Sequence, residues 1–274
     1  RHGRRRLLLA GLLLNAAASF AATQAQSMAW LIAARAVQGL GMAAVIVCAR
    51  ALVRDLYEPG EGAHIMATAL GGLGFIAMSC PPLGGLLVSF GGWRAALAGV
   101  GLFATALAVL VALRWPETLQ RPNPAATQMR VLWRTWAGVL AEPRFRAWAT
   151  LVACTYGALF VILAGSSFVF IGQLGFSAWQ FGLCLGSCSG MYILGTWICR
   201  RWLPRVGLVG AVRRGSWFTL ASVVCLLPLL WLDKPSAWQL LLPMWLLTIG
   251  HGCHLPCGQA GAVGPFPQAA GAAS

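Results

Sequence analysis

Arg35 is the residue of this sequence whose chemistry packing explains least. It lies inside an apolar run, residues 28–49, and is followed by Gln38, Gly39 and Gly41. A helix needs ~20 residues to cross ~30 Å of hydrocarbon, so Arg35 falls about a third of the way across and Gln38 near the middle. An arginine at such depth costs between ~2.5 and more than ~10 kcal/mol and persists where it faces a bundle interior or a water-filled cavity. Arginine does not titrate in the physiological range, so in coupling it would act on a neighbouring acid, favouring its ionised form or pairing with it. The plainer alternative is that Arg35 ties helices together through backbone carbonyls. Arg35, Gln38 and Gly39 share a helical face at i, i+3 and i+4, and Gly39 with Ala43 offers a small-residue step for a neighbouring helix.

A second set of chemically capable residues is His251, Cys253, His254 and Cys257. Imidazole with thiolate suits copper(I) or zinc, but the four cannot converge on one regular helix, so the expectation is no metal site and a packing or cavity-lining role. A membrane enzyme or metal-binding protein built on this cluster is the different-class alternative. No nucleophile elbow, P-loop or dinucleotide fingerprint is present, so the reading is not an enzyme, with no cofactor. The six acidic residues (Asp55, Glu58, Glu61, Glu117, Glu142 and Asp233) fall in predicted loops, which leaves no carboxylate inside a span to carry a proton. Tyr156, Ser166, Ser167 and Trp245 are candidate cavity groups within spans. Pro81, Gly84 and Gly85 predict a bend with close packing.

The elements that must position these residues are membrane helices. A mean hydropathy of +0.74, with 59% hydrophobic and 9% charged residues, excludes a soluble domain. Spans are predicted at residues 7–23, 28–49, 65–90, 95–113, 147–171, 179–198, 215–232 and 238–256, eight in all. Gly182, Gly186 and Gly190 form a small-residue ridge in the sixth. The nine cysteines lie in or at the ends of apolar segments and read as reduced, buried thiols. The net charge of +14 is topogenic and argues for no nucleic-acid partner. Seventeen of the 20 basic residues fall on one side of the predicted spans, with only Arg94 and Lys234 opposite and Arg35 within. The positive-inside rule therefore puts the start of the chain, the segment 115–146 and the loop 200–214 in the cytoplasm. Residues 1–114 and 147–274 form two four-span halves joined by the cytoplasmic linker 115–146. The fold class is an all-α polytopic bundle of two pseudo-symmetric halves.

In this order the motifs resemble the major facilitator superfamily, and within it the drug:proton antiporters of the Bcr/CflA type. Arg1, Gly3, Arg4 and Arg5 resemble the tail of the family's Asp-Arg-x-Gly-Arg-Arg loop motif, without its leading residues. Arg35, Gln38, Gly39 and Gly41 match the helix-four motif Arg-x-x-Gln-Gly-x-Gly. Pro81, Gly84 and Gly85 match the helix-five antiporter motif Gly-Pro-x-x-Gly-Gly, with Cys80 in place of its first glycine. Pro116, Glu117, Thr118 and Leu119 resemble the signature closing helix six, and Gly165 to Val169 with Phe181 and Gly182 the helix-seven to helix-eight region. The resemblance implies a secondary transporter of the bacterial inner membrane, a monomer in the lipid bilayer that exports small amphipathic drugs in exchange for protons. It also implies a piece of a longer chain, lacking family helices one, two, most of eleven, and twelve, with the proton-titrating acid expected in helix one.

The charge asymmetry has a direct test. A single cysteine placed between Arg121 and Arg130, on a cysteine-free background, is expected to react with an impermeant thiol reagent from the cytoplasmic side only; periplasmic labelling would reverse the topology.

Overall fold

In the computed structural model the described residues are 3–56, 59–117, 129–232 and 235–266. Arg1, Glu58, Thr118, Leu119, Arg121, Asp233, Lys234 and the tail 267–274 lie outside them. Among the described residues every regular element is helical: α1 (Arg4–Thr23), α2 (Met28–Leu56), α3 (Pro59–Arg114), α4 (Met129–Ala141), α5 (Pro143–Ser167), α6 (Ala178–Leu226) and α7 (Ala237–Val263). A π-helical turn, Phe168–Gln173, extends α5, and a 3-10 turn, Leu227–Trp231, ends α6.

Among the described residues six helices are long and apolar enough to cross a membrane. Two of them are double. α3 leaves helical geometry at Gly91 and Gly92, and α6 does so at Gly207, with nearly the same backbone at both breaks (φ 67, ψ −173 at Gly92; φ 66, ψ −176 at Gly207). That region is open essentially to glycine alone, which is why the sequence can reverse direction there within a residue or two. Divided at these glycines, the six become the eight spans expected from hydropathy.

Two differences from expectation have clear causes. The predicted bend at Pro81 and Pro82 is absent from the backbone dihedrals: α3 stays helical through both prolines and breaks ten residues later. Within the linker segment, Met129–Ala141 forms a helix. Its Trp133, Trp136, Val139 and Leu140 recur at helical spacing, with Val139 buried and the two indoles edge to face at 5.7 Å. Reading all of 115–146 as a linker leaves this period out.

The chain divides into two compact units, residues 1–76 with 83–125, and residues 77–82 with 126–274. In the first, α1 buries a stripe of Leu8, Gly11, Leu12, Asn15, Ser19 and Ala22, and α2 answers with Ala34, Gln38, Gly41, Cys48 and Leu52. The helices meet at Gly11 and Gly41. A Cβ at Gly41 would lie 2.7 Å from the carbonyl oxygen of Gly11, and one at Gly11 2.8 Å from that of Gly41. The end of α1 is closed by side chains that satisfy its last carbonyls. Trp30 Nε1 donates to Ala21 O at 3.2 Å, Arg94 Nε to Thr23 O at 2.9 Å, and Arg94 Nη2 to Ala25 O at 3.2 Å.

In the second unit α7 is the most buried span, flanked by α5 and α6. Its contacts with α6 again rest on absent side chains: a Cβ at Gly252 would lie 2.5 Å from Tyr192 O, and one at Gly195 would collide with Ile249 O. α6 and α7 open on the same tetrapeptide, Ser-Ala-Trp-Gln, at residues 177–180 and 236–239. In both, the serine N–H donates to the glutamine Oε1, at 2.9 Å in α6 and 2.8 Å in α7. The repeat places one tryptophan in the first turn of each helix, where an interfacial indole is favoured.

The Gly11 and Gly41 contact predicts a contrast between neighbouring glycines. Gly41→Val is expected to lower stability by roughly 1–3 kcal/mol, as overpacking does, and to reduce the detergent melting temperature and membrane abundance. Gly39→Ala, where a Cβ meets nothing within 4 Å, is expected to leave both unchanged.

Candidate functional site

The first unit carries a continuous polar chain through its apolar helix pair. Arg35 Nη1 donates to Gln38 Oε1 at 2.6 Å, and Gln38 Nε2 donates to Ser19 Oγ at 2.6 Å. Ser19 Oγ donates to Asn15 O at 2.7 Å, and Asn15 Nδ2 donates to Gln38 O at 3.3 Å. Gln38, Asn15 and Ser19 are buried, whereas Arg35 is exposed at the surface of the unit. The glutamine therefore acts as a two-ended connector: its carbonyl oxygen receives the charge and its amide proton anchors on α1. A shallow apolar groove of about 360 Å³, lined by Ala18, Ala21, Trp30, Ala33, Ala34 and Val37, opens on the same helix pair.

The small-residue step expected at Gly39 and Ala43 is not where α1 and α2 meet. Both residues are exposed, and Gly41 makes the contact instead. The reason is angular: the buried stripe follows Ala34, Gln38, Gly41 and Cys48, leaving Arg35 and Gly39 on its outer edge. Asn15 and Ser19 escaped the sequence reading. They were detectable as the two polar residues at i and i+4 of the otherwise apolar stripe on α1.

Two predicted motifs meet at the start of α1. Arg4 N donates to Glu117 Oε1 at 2.7 Å and Arg5 N to Glu117 Oε2 at 3.3 Å, so the carboxylate caps the positive end of the helix. Arg5 Nη2 donates to Ala112 O at 2.7 Å. Gly3 precedes them at φ 85, with the Glu117 carboxylate where its Cβ would be, so both backbone and space require glycine.

In the second unit, Pro81 and Pro82 pack against the glycine ridge of α6. A Cβ at Gly182 would lie 2.5 Å from Pro81 O, and one at Gly186 2.9 Å from Pro82 Cγ and 3.0 Å from Met78 O. Met78 O is the carbonyl that Pro82 cannot bond as an ordinary residue would, and it rests on a glycine. This gives the freed carbonyl a close neighbour while the backbone dihedrals stay helical through both prolines. Gly84 has no atom within 4 Å of a Cβ position, so the close approach expected there falls on Gly182 and Gly186.

The four predicted cavity groups separate. Tyr156 stacks near Phe160 and sets its ring edge to face with His251 at 5.1 Å, and Trp245 Nε1 donates to Ser187 Oγ at 2.9 Å. Ser166 is buried and bonds its own helix at Leu163 O, 3.3 Å away; Ser167 is partly buried. The histidine and cysteine cluster also divides. His251 Nδ1 is 2.9 Å from Thr155 Oγ1 on α5, while His254 Nε2 is 3.3 Å from Ser216 Oγ on α6. Cys257 Sγ is 3.5 Å from Cys199 Sγ, and Cys253 Sγ is 3.5 Å from Gly195 O. Among the described residues no three histidine, cysteine or acidic side chains gather as a metal would require.

Long apolar helices joined by glycine-mediated contacts define a polytopic helical membrane protein. The sequence profile of the Major Facilitator Superfamily matches residues 1–274, and the chain belongs to that superfamily. It is 28% identical to the Multidrug resistance protein D of Escherichia coli, over 100% of this chain and 68% of that protein. It is 28% identical to a Chloramphenicol resistance protein of Pseudomonas aeruginosa (99% and 64%), and 25% identical to a Bicyclomycin resistance protein homolog of Haemophilus influenzae (81% and 58%). The chain thus spans 58% to 68% of the length of these relatives. The fold is similar to that of a bacterial homologue of the human lysosomal transporter Spinster in an inward-facing, occupied conformation. The TM-score is 0.73 at 14% identity, over 97% of this chain and 62% of the other.

The connector role of Gln38 predicts a modest structural cost. Ser19→Ala removes the acceptor of Gln38 Nε2 and is expected to lower stability by roughly 0.6 kcal/mol and at most about 1.7, the range for hydrogen bonds between membrane helices. Detergent melting beside Ser19→Thr, which keeps the hydroxyl, measures it.

Proposed function

We propose that the protein is a secondary active transporter of the bacterial inner membrane that exports small amphipathic molecules in exchange for protons by alternating access. Residues 1–114 and 147–274 serve as the two halves and 115–146 as the cytoplasmic linker. The proposal treats it as a monomer in the bilayer and not as an enzyme. Support comes from the relatives, whose names are those of drug-resistance proteins acting against chloramphenicol, bicyclomycin and several drugs at once. Membership of the superfamily favours transport over the enzymatic and metal-binding readings, and on α7 His251 turns to Thr155, away from Cys253, His254 and Cys257.

The observation that carries the proposal is the Arg35 to Gln38 to Ser19 chain. A guanidinium exposed on the face of a span is tolerated in a membrane where that face meets water or a counter-charge. Its five donors are fixed in a plane, and Gln38 Oε1 engages one end. The remaining donors can then meet an anion or a polar substrate group without the side chain having to find its orientation first. In this reading Gly39 keeps the helix surface low beside Arg35, and Gly41 holds α2 against α1. Pro81, Gly84 and Gly85 give α3 a shallow flank, and Gly3, Arg4 and Arg5 fix the inner end of α1; Arg1 belongs to the same motif by sequence.

Everted membrane vesicles from cells producing the protein test the assignment. Arg35→Ala is expected to abolish proton-driven movement of chloramphenicol or ethidium, whichever the wild type moves, at undiminished membrane abundance. Arg35→Lys is expected to recover only part of it, since an ammonium lacks the planar fork. Full activity in Arg35→Ala would remove Arg35 from the mechanism.

A further inference from the structure

The second unit holds a titratable group that the Arg35 chain does not use. His251 lies in the middle of α7 and is only 4% exposed. Its surroundings come from three helices: Thr155 and Tyr156 from α5, Tyr192 from α6, and the backbone of α7 itself. Nδ1 is 2.9 Å from Thr155 Oγ1, and the Tyr156 and Tyr192 ring centroids are 5.1 and 5.5 Å from the imidazole. The titratable groups around it are those two phenols and His254, which turns to Ser216 on α6. Among the described residues no carboxylate or guanidinium is hydrogen-bonded to it.

We infer that His251, held by Thr155 between Tyr156 and Tyr192, is a proton-binding site within the second unit, and that its proton is exchanged against the exported molecule. The inference rests on the transport reading above. Three features suit a proton better than a packing role alone. The partner of Nδ1 is a hydroxyl, which donates to a neutral ring nitrogen and accepts from a protonated one, so the bond survives either state. When a proton adds to the Nδ1 lone pair, the threonine hydroxyl hydrogen turns to a carbonyl of its own preceding turn, a bond threonine makes readily in a helix. The Tyr156 and Tyr192 ring centroids lie within ~6 Å of the imidazole, near enough for their rings to respond to a change in its charge. Tyr156 is itself 37% exposed, which puts the site one side chain from the surface of the unit.

Among the described residues His251 and His254 are the two imidazoles within the spans. Of the two, His251 is the one flanked by aromatic rings from two neighbouring helices. The expected ligand is thus a proton, with an amphipathic cation as its natural competitor at the same aromatic pair.

The test compares wild type with His251→Gln in vesicles, using chloramphenicol or ethidium, whichever the wild type moves. Two readouts are taken: transport driven by an imposed pH gradient, and counterflow of the drug at equal pH. Glutamine keeps a donor and an acceptor but cannot titrate, so gradient-driven transport is expected to be lost while counterflow persists. Gradient-driven transport surviving in His251→Gln would overturn the inference alone, and loss of counterflow as well would make His251 structural. A wild type indifferent to the gradient would overturn the exchange reading and this inference with it. Thr155→Val keeps the imidazole and the shape of its partner. Its gradient-driven transport is expected to show a displaced pH midpoint, and an unchanged one would also overturn the inference, whether or not His251→Gln reaches the membrane.

Discussion

Two helices surrounded by hydrocarbon gain nothing from hiding apolar side chains against each other, since lipid tails are as apolar as leucine. What holds them is close approach, and close approach requires that something be missing from the surface. Two of the well-packed pairs here meet that constraint with glycine set against a backbone carbonyl. Gly11 and Gly41 do so for α1 and α2, and Gly195 and Gly252 for α6 and α7. Once the backbones are this near, side chains beside the contact are forced into each other's reach. Asn15 and Gln38 flank one such contact, and Tyr192 and His251 flank the other. The polar chemistry of both units is thus a consequence of where the glycines lie.

The same constraint explains how proline is accommodated. A proline pair in the interior of a soluble helix would leave two carbonyls to water. Here Met78 O lies over Gly186, whose lack of a side chain lets the carbonyl sit against α6. A carbonyl on a glycine Cα–H is a weak hydrogen bond, yet in hydrocarbon its alternative is no partner at all. The glycine ridge of α6 and the prolines of α3 are therefore two parts of one feature, which neither predicts alone.

Much of this was legible in the sequence because hydropathy, glycine breaks and charge asymmetry are local signals. The span boundaries, the reversals at Gly91 to Gly92 and near Gly207, and the motif order all follow from residues close together in the chain. What was not legible depends on rotation about a helix axis. Gly39 and Gly41 are two residues apart, and nothing in their composition says which faces α1; the buried stripe decides, and it passes through Gly41. Asn15 and Ser19 were missed for the same reason, because a polar residue in an apolar span announces itself only when its partner on the facing helix is known. The amphipathic helix Met129–Ala141 was hidden by the prolines and arginines that precede it.

Rotation also resolves the residues on α7 that looked most like a metal site. At about 100° per residue, Cys253, His254 and Cys257 fall within roughly one third of the circumference, while His251 lies outside that arc. The three point toward α6, where Cys199 and Ser216 receive Cys257 and His254. His251 is left facing Thr155 and Tyr156 of α5, with Tyr192 of α6 beside it, so its imidazole is buried against a hydroxyl and aromatic walls. A cluster compact in sequence is thus split by the helix into a packing set and a solitary titratable group. The solitary group, not the cluster, is the one on which the proposed proton site rests.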